Sequence, residues 1–220
     1  MPSYGEYSPK CAICGRRSKQ WTLLSTTFGG APGLDCRPAE LHEPHVERCP
    51  HCGYCAPRIE NGEHTLQDVV NSESYRSRLT NPDFPEEANS HLCWSFINGN
   101  QGDLVGAAFA CLEAAWACDD VSLAEGARNC RLKAVAMFEK AREEGLSFSS
   151  QVGAEEALLA DLLRRSGDFG RALDYCAAGL KRSPGRIIAA VLRLEETLIA
   201  RHDIAHHTVG ELAIGLDDTI

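Results

Sequence analysis

Basic residues are scarce in this chain of 220: Lys and Arg number 22 against 31 Asp and Glu, for a net charge of −9. The shortage is local. Residues 1–60 carry seven basic against six acidic side chains, whereas residues 61–220 carry fifteen against twenty-five. An acidic surface repels phosphate backbones and lacks the basic footprint that supplies nucleic-acid affinity. Nucleic acid is therefore not the expected partner of the C-terminal region. Long apolar runs are also missing. No stretch approaches the roughly 18–20 residues that a spanning helix needs, so no membrane partner is expected. The opening residues show no basic segment followed by an apolar run, so no secretory signal is expected and the expected location is cytoplasmic. Aromatic side chains make up only 7% of the chain, leaving few rings to line any one site.

Cysteine, by contrast, is abundant, with eleven residues. In a cytosolic compartment thiols stay reduced, so this number points to metal ligation and buried free thiols before disulfides. Cys11-Ala12-Ile13-Cys14-Gly15 and Cys49-Pro50-His51-Cys52-Gly53 are two copies of one knuckle. Two residues between the cysteines let both sulfurs of a tight turn face one ion, and the glycine supplies the positive φ that the turn demands. Two knuckles offer four sulfurs at tetrahedral angles, so Cys11, Cys14, Cys49 and Cys52 are the expected metal ligands. Thirty-four residues separate Cys14 from Cys49, more than the usual zinc-ribbon spacer of about 15–20. With four protein ligands no coordination position stays open, so the expected ion is structural Zn2+ and no catalysis is expected. Iron is the competitor, because a rubredoxin holds its iron with the same pair of knuckles. The aromatic candidates to surround such a site are Trp21, Phe28 and Tyr54.

Organisation follows composition. Residues 1–62 are rich in Gly, Pro, Cys and His, with one strand candidate over 20–28 and a Pro/Gly loop over 31–48. Leu66, Val69, Val70, Tyr75 and Leu79 fit one short helix ended by Asn81-Pro82. Beyond Glu86 the pattern is helical, with helices expected over 87–99, 103–118, 122–145, 151–166, 169–182 and 186–202, each break marked by Gly, Asp or Pro. Short breaks imply antiparallel helix hairpins. The expected domains are a metal-binding ribbon (1–62), a helical region (63–205) and a tail (206–220). Between Glu156 and Pro184 the spacing of Leu159, Ala160, Leu163, Gly167, Asp168, Phe169, Ala172, Tyr175, Gly179 and Pro184 resembles a tetratricopeptide repeat. Gly102-Asp103-Leu104 with Ala107, Cys111 and Ala114 repeats its turn and second helix. The fold class is thus α+β, mostly α: a zinc- or rubredoxin-like ribbon, then a tetratricopeptide-like domain.

Other residues admit more than one role. Cys36 and Cys55 are either free thiols beside the site or a redox pair. His42, His45 and His51 read as loop histidines, with a second ion as the alternative. Asp35 and Arg37 suggest an ion pair ordering their loop. Cys93, Cys111, Cys118, Cys130 and Cys176 sit where small hydrophobes belong on helical faces. His202 and His206 fall one turn apart if the last helix runs that far. No nucleophile elbow, phosphate-cradling loop or His-Glu-x-x-His occurs.

Lys10-Cys11-Ala12-Ile13-Cys14-Gly15, Leu34-Asp35-Cys36-Arg37-Pro38 and Cys49-Pro50-His51-Cys52-Gly53-Tyr54, followed by helical repeats, resemble a bacterial family of unknown function. Its members join such a ribbon to tetratricopeptide-like helices. The resemblance implies the fold and the metal, and it brings no activity. A non-enzymatic protein recognising a protein or peptide partner is the expected function. The alternatives are a rubredoxin-like iron or thiol redox protein, and a zinc-ribbon nucleic-acid accessory factor resting on Arg16, Arg17 and Lys19.

Overall fold

The computed structural model describes residues 3–25, 29–39 and 46–215. Helix dominates, with eight α-helices and two small antiparallel strand pairs among these residues. β1 (Ser3–Tyr7) pairs with β2 (Gln20–Ser25), running from Ser3 opposite Ser25 to Tyr7 opposite Gln20. β3 (Glu47–Arg48) pairs with β4 (Cys55–Ala56). Each knuckle thus lies between the strands of one pair, and a bridge from Lys10 to Arg17 extends the first pair to the knuckle itself. The strand expected over 20–28 is β2; Thr26, Thr27 and Phe28 lie outside the described residues. β1 was not expected.

Helices α1 (Gln67–Asn71) and α2 (Glu73–Leu79) replace the single short helix expected there. Ser72 divides them: its backbone is extended, and its hydroxyl accepts from the Tyr75 amide at 3.2 Å. A side chain that bonds its own backbone in this way starts a helix instead of continuing one. The later helices follow the spacing of breakers closely: α3 (Glu86–Asn100), α4 (Leu104–Asp120), α5 (Ala124–Glu143), α6 (Ala154–Arg165), α7 (Phe169–Lys181) and α8 (Arg186–Ala200). Two of the breaks use one device. Gly102 and Gly167 take φ near +80°, the next amides bond back to Asn98 O and Leu163 O at 2.9 Å, and Asp103 and Asp168 cap the helix that follows. Gly can adopt that φ without a Cβ penalty, and Asp accepts an otherwise unsatisfied amide.

The chain forms two compact units whose limits do not follow sequence order. One comprises residues 1–27 and 42–140; the other comprises 28–41 and 141–220. In the first, the ribbon and α1–α3 share a single apolar core of Cys11, Ile13, Tyr54, Ile59, Val70, Tyr75 and Ile97, among others, with Trp94 and Phe96 at its margin. Beside it α3 packs on α4. The face of α4 is built from Ala107, Ala108, Cys111, Ala114, Ala115 and Cys118, all buried. Phe138 of α5 is fully buried, edge-on to Phe109 with 5.0 Å between centroids. The helical cysteines Cys93, Cys111, Cys118, Cys130 and Cys176 are all buried and free of disulfides.

In the second unit α6 packs on both α7 and α8. Residues 29–39 join it: Leu34 N donates to His207 O at 2.9 Å, Val209 N to Pro32 O at 2.9 Å, and Gly33 bridges Thr208. Part of the acidic excess lies inside the fold. Glu156 is buried and accepts from Arg182 at 2.9 Å and 3.0 Å and from Arg142 at 2.9 Å. Deleting a fully buried ring removes its packing and leaves a cavity. Phe138→Ala is expected to cost about 3–5 kcal/mol, seen as a lower midpoint in urea unfolding.

Candidate metal centre

The two knuckles have the same hydrogen-bond pattern. Cys11 N donates to Arg16 O at 2.9 Å and Gly15 N to Cys11 O at 2.9 Å; Cys49 N donates to Tyr54 O at 2.8 Å and Gly53 N to Cys49 O at 2.8 Å. Gly15 and Gly53 close these turns at φ +71° and +75°. Gly53 is constrained twice over, because a Cβ there would stand 2.4 Å from Leu79 Cδ2 of α2.

So folded, the four sulfurs converge. All lie within 4.8 Å of one another, with Cys11 Sγ 3.6 Å from Cys52 Sγ and Cys14 Sγ 3.7 Å from Cys49 Sγ. A tetrahedron of sulfurs around an ion at ~2.3 Å has edges of about 3.8 Å, so the set has the size of a tetrahedral thiolate site. Among the described residues no other group of three or more His, Cys, Asp or Glu side chains gathers in this way. Backbone amides help to hold the sulfurs: those of Ile13 and Cys14 point to Cys11, that of Arg16 to Cys14 and that of Tyr54 to Cys52.

Electrostatics explains what such a cluster requires. Burial pushes the Cys11 and Cys52 thiols up, against the pull of their amides. At Cys14 burial also opposes ionisation, but the Arg16 amide and neighbouring sulfurs outweigh it and hold that thiol low. Four thiolates in so small a volume repel one another strongly, and a divalent cation is the natural counter-charge. Its binding must displace protons from the sulfurs. Cys11 and Cys49 are buried while Cys14 and Cys52 are half-buried, so the cluster lies at the edge of the core.

Several supports of the site have no local signature in the sequence. The Tyr75 hydroxyl donates to Gly53 O at 2.9 Å and accepts from Cys55 N at 3.0 Å, so α2 clamps the exit of the second knuckle. In the sequence Tyr75 belongs to the apolar face of its helix, and that position gives no sign of this bond. Glu47, nearly buried, accepts from the Tyr7 hydroxyl and from Ile59 N at 2.8 Å, linking β1, β3 and the segment at Ile59. Ala12 N donates to Ile59 O at 2.8 Å, which ties the first knuckle to the same segment. Of the three expected rings, Tyr54 is buried, Trp21 is 61% exposed and Phe28 lies outside the described residues; the shared core adds Tyr75, Trp94 and Phe96 from helices.

The remaining candidates fall elsewhere. Cys55 is buried, with its thiol donating to Gly53 O at 3.3 Å, whereas Cys36 is exposed in the other compact unit at φ +65°. His51 contacts Arg17 O at 3.2 Å and is not part of the sulfur cluster. His42 and His45 lie outside the described residues. Asp35 bonds the Arg37 amide at 3.1 Å and gives its other oxygen to Arg165 at 2.8 Å, so the loop's acid is answered from α6. α8 stops at Ala200, short of His202 and His206; His202 packs edge-on to Phe169, and His206 approaches Asp35 at 3.9 Å. No helix among the described residues is long and apolar enough to cross a membrane.

No protein-family model, curated protein or solved structure matches this chain.

Two substitutions test the centre. Cys49→Ser removes the most buried ligand and is expected to abolish stoichiometric metal, as read by elemental analysis, with the ribbon becoming open to protease. Gly53→Ala keeps all four sulfurs but combines left-handed strain of about 1–3 kcal/mol with displacement of Leu79. It should lower metal affinity in a chelator competition without changing stoichiometry.

Proposed function

We propose that this protein is a non-enzymatic, zinc-stabilised recognition protein, in which the ribbon holds a structural Zn2+ and the helical region presents a tetratricopeptide-like surface to a protein or peptide. The observation that carries this reading is the sulfur cluster: four protein ligands at tetrahedral spacing leave no position for a substrate or an activated water. The repeated Gly-Asp turn before α4 and α7 supports a repeat architecture. Stacked repeats expose extended surfaces suited to chain recognition. Apolar side chains stand exposed on the last helices, with Leu173 on α7 at 47% and Ile187 on α8 at 58%, where binding energy could be gained. Reduced thiols and a thiolate site fit the cytoplasm.

One observation favours a second reading. Tyr75, whose hydroxyl donates to Gly53 O at 2.9 Å, adds a helical ring beside the second knuckle, which suits a rubredoxin-like iron site. Tetrahedral sulfur accommodates both metals. Nucleic acid fits less well, because two of the three cations beside the first knuckle are engaged: Arg17 with Ser8 O at 2.6 Å and Lys19 with Glu6 at 3.0 Å.

Elemental analysis and absorbance of protein purified without added metal test the reading directly. One zinc per chain and no visible colour are expected; a coloured, iron-loaded protein that is reversibly reduced would replace it with the redox reading. Recognition is tested by affinity capture from native cells. A partner held by the wild type and lost from Leu173→Asp or Ile187→Asp, with zinc content unchanged, is the expected result.

A further inference from the structure

The second compact unit contains a charge arrangement that the metal centre does not use. Arg164 of α6 is fully buried, as are Asp161 on the same helix and Glu195 on α8. Arg164 Nε donates to Glu195 Oε2 at 2.7 Å, and one of its terminal nitrogens donates to Asp161 Oδ1 at 2.6 Å. The other terminal nitrogen holds the carbonyls of Asp203 and Ala205 at 2.7 Å and 3.0 Å. A guanidinium edge ordinarily receives both oxygens of one carboxylate. Here two carboxylates from two helices crowd onto one arginine, within hydrogen-bonding reach of each other.

Charge in this pocket does not balance. Asp35 is answered by Arg165 at 2.8 Å, and although Arg165 also draws on Asp161, the close ion pairs of Asp161 and Glu195 are both with Arg164. Three carboxylates face two guanidiniums out of contact with water, where an uncompensated charge is very costly. Two oxygens are also orphaned: Asp161 Oδ2 and Glu195 Oε1 are buried without a hydrogen-bond partner. One proton placed between the two side chains corrects both faults. It neutralises the surplus charge and gives an orphaned oxygen a donor.

We propose that Asp161 and Glu195 share a single proton, and that this proton is a condition for α6, α8 and the Asp203–Ala205 segment to close together, which makes the unit a proton-sensitive latch. The surroundings fit. Burial, then Asp35, raises the Asp161 carboxyl against Arg164 and Arg165; burial, then Asp161, raises Glu195 to about 8 against Arg164. From α7 the pocket meets Cys176, whose thiol burial and Glu195 push up to about 12, so it brings no charge. Glu196 on α8 adds negative potential there. Asp203 bonds Ala205 N and His207 outside the pocket, Glu211 pairs with His207, and His206 stands 3.9 Å from Asp35 on the exposed side.

The sign follows from linkage. A carboxyl raised in the folded state binds a proton that the unfolded chain has already released, so its contribution is full below the ordinary carboxylate range and is lost as pH rises towards about 8. In the full-length, metal-loaded protein, hydrogen exchange of α6 and α8 amides, corrected for intrinsic rate, should show the opening equilibrium rising about tenfold per pH unit up to about pH 8 and then levelling. Glu195→Gln supplies an amide donor that cannot ionise, and it should give a level profile over the same range. Infrared spectra at neutral pH should contain the carbonyl stretch of a protonated carboxyl, titrating away in alkali and missing from both Glu195→Gln and Asp161→Asn. A wild type without that band, a flat wild-type exchange profile, or a Glu195→Gln profile as steep as wild type would each overturn the proposal. Should the variants not fold, the wild-type infrared titration decides alone.

Discussion

Thiolates repel one another, and the ribbon gathers four sulfurs within 4.8 Å. Everything at this end of the chain is organised around making that arrangement tolerable. The strands framing the second knuckle are two residues each and could not persist alone. Their order comes from the turn they enclose, from the Tyr75 clamp, and from an apolar core shared with α1–α3. In the proposed zinc-bound state a cation would gather the sulfurs, while the helices give the ribbon a hydrophobic floor that so small a segment cannot build from its own residues.

The second unit meets the same difficulty with a different solution. Burying like charges together is unfavourable wherever it occurs, and here no metal-binding pattern accompanies it. Arginines carry most of the compensation: Arg142 and Arg182 around Glu156, Arg165 on Asp35, and Arg164 across two helices and a following segment. An acidic composition that reads as a repelling surface is in part an internal ionic framework.

What the sequence made legible was chemistry confined to short windows. Each knuckle states its ligands, its turn and its glycine within five residues, and the helix breaks announce themselves through Gly-Asp or Pro-Gly pairs. β1 was hidden because Ser-Tyr-Gly-Glu-Tyr has no alternation of apolar and polar residues; its place is set by pairing with β2. The division at Ser72 was hidden because the apolar period runs through it while the hydroxyl takes the amide that would have continued the helix. The contact between Asp35 and Arg165 spans 130 positions, beyond any local pattern. Buried acids on α6 and α8 look like solvent-facing charges until the helices are packed.

The membership of residues 29–39 also explains the long spacer between the knuckles, and it has a consequence for how the chain can be divided. The polypeptide passes between its two units three times, after Thr27, Leu41 and Lys140. No single cut parts them. A gene fragment encoding only the later helices would lack Pro32, Gly33 and Leu34, the chain edge on which His207, Thr208 and Val209 lie. The later helices by themselves are therefore an incomplete unit, one that lacks the segment its closing residues bond to.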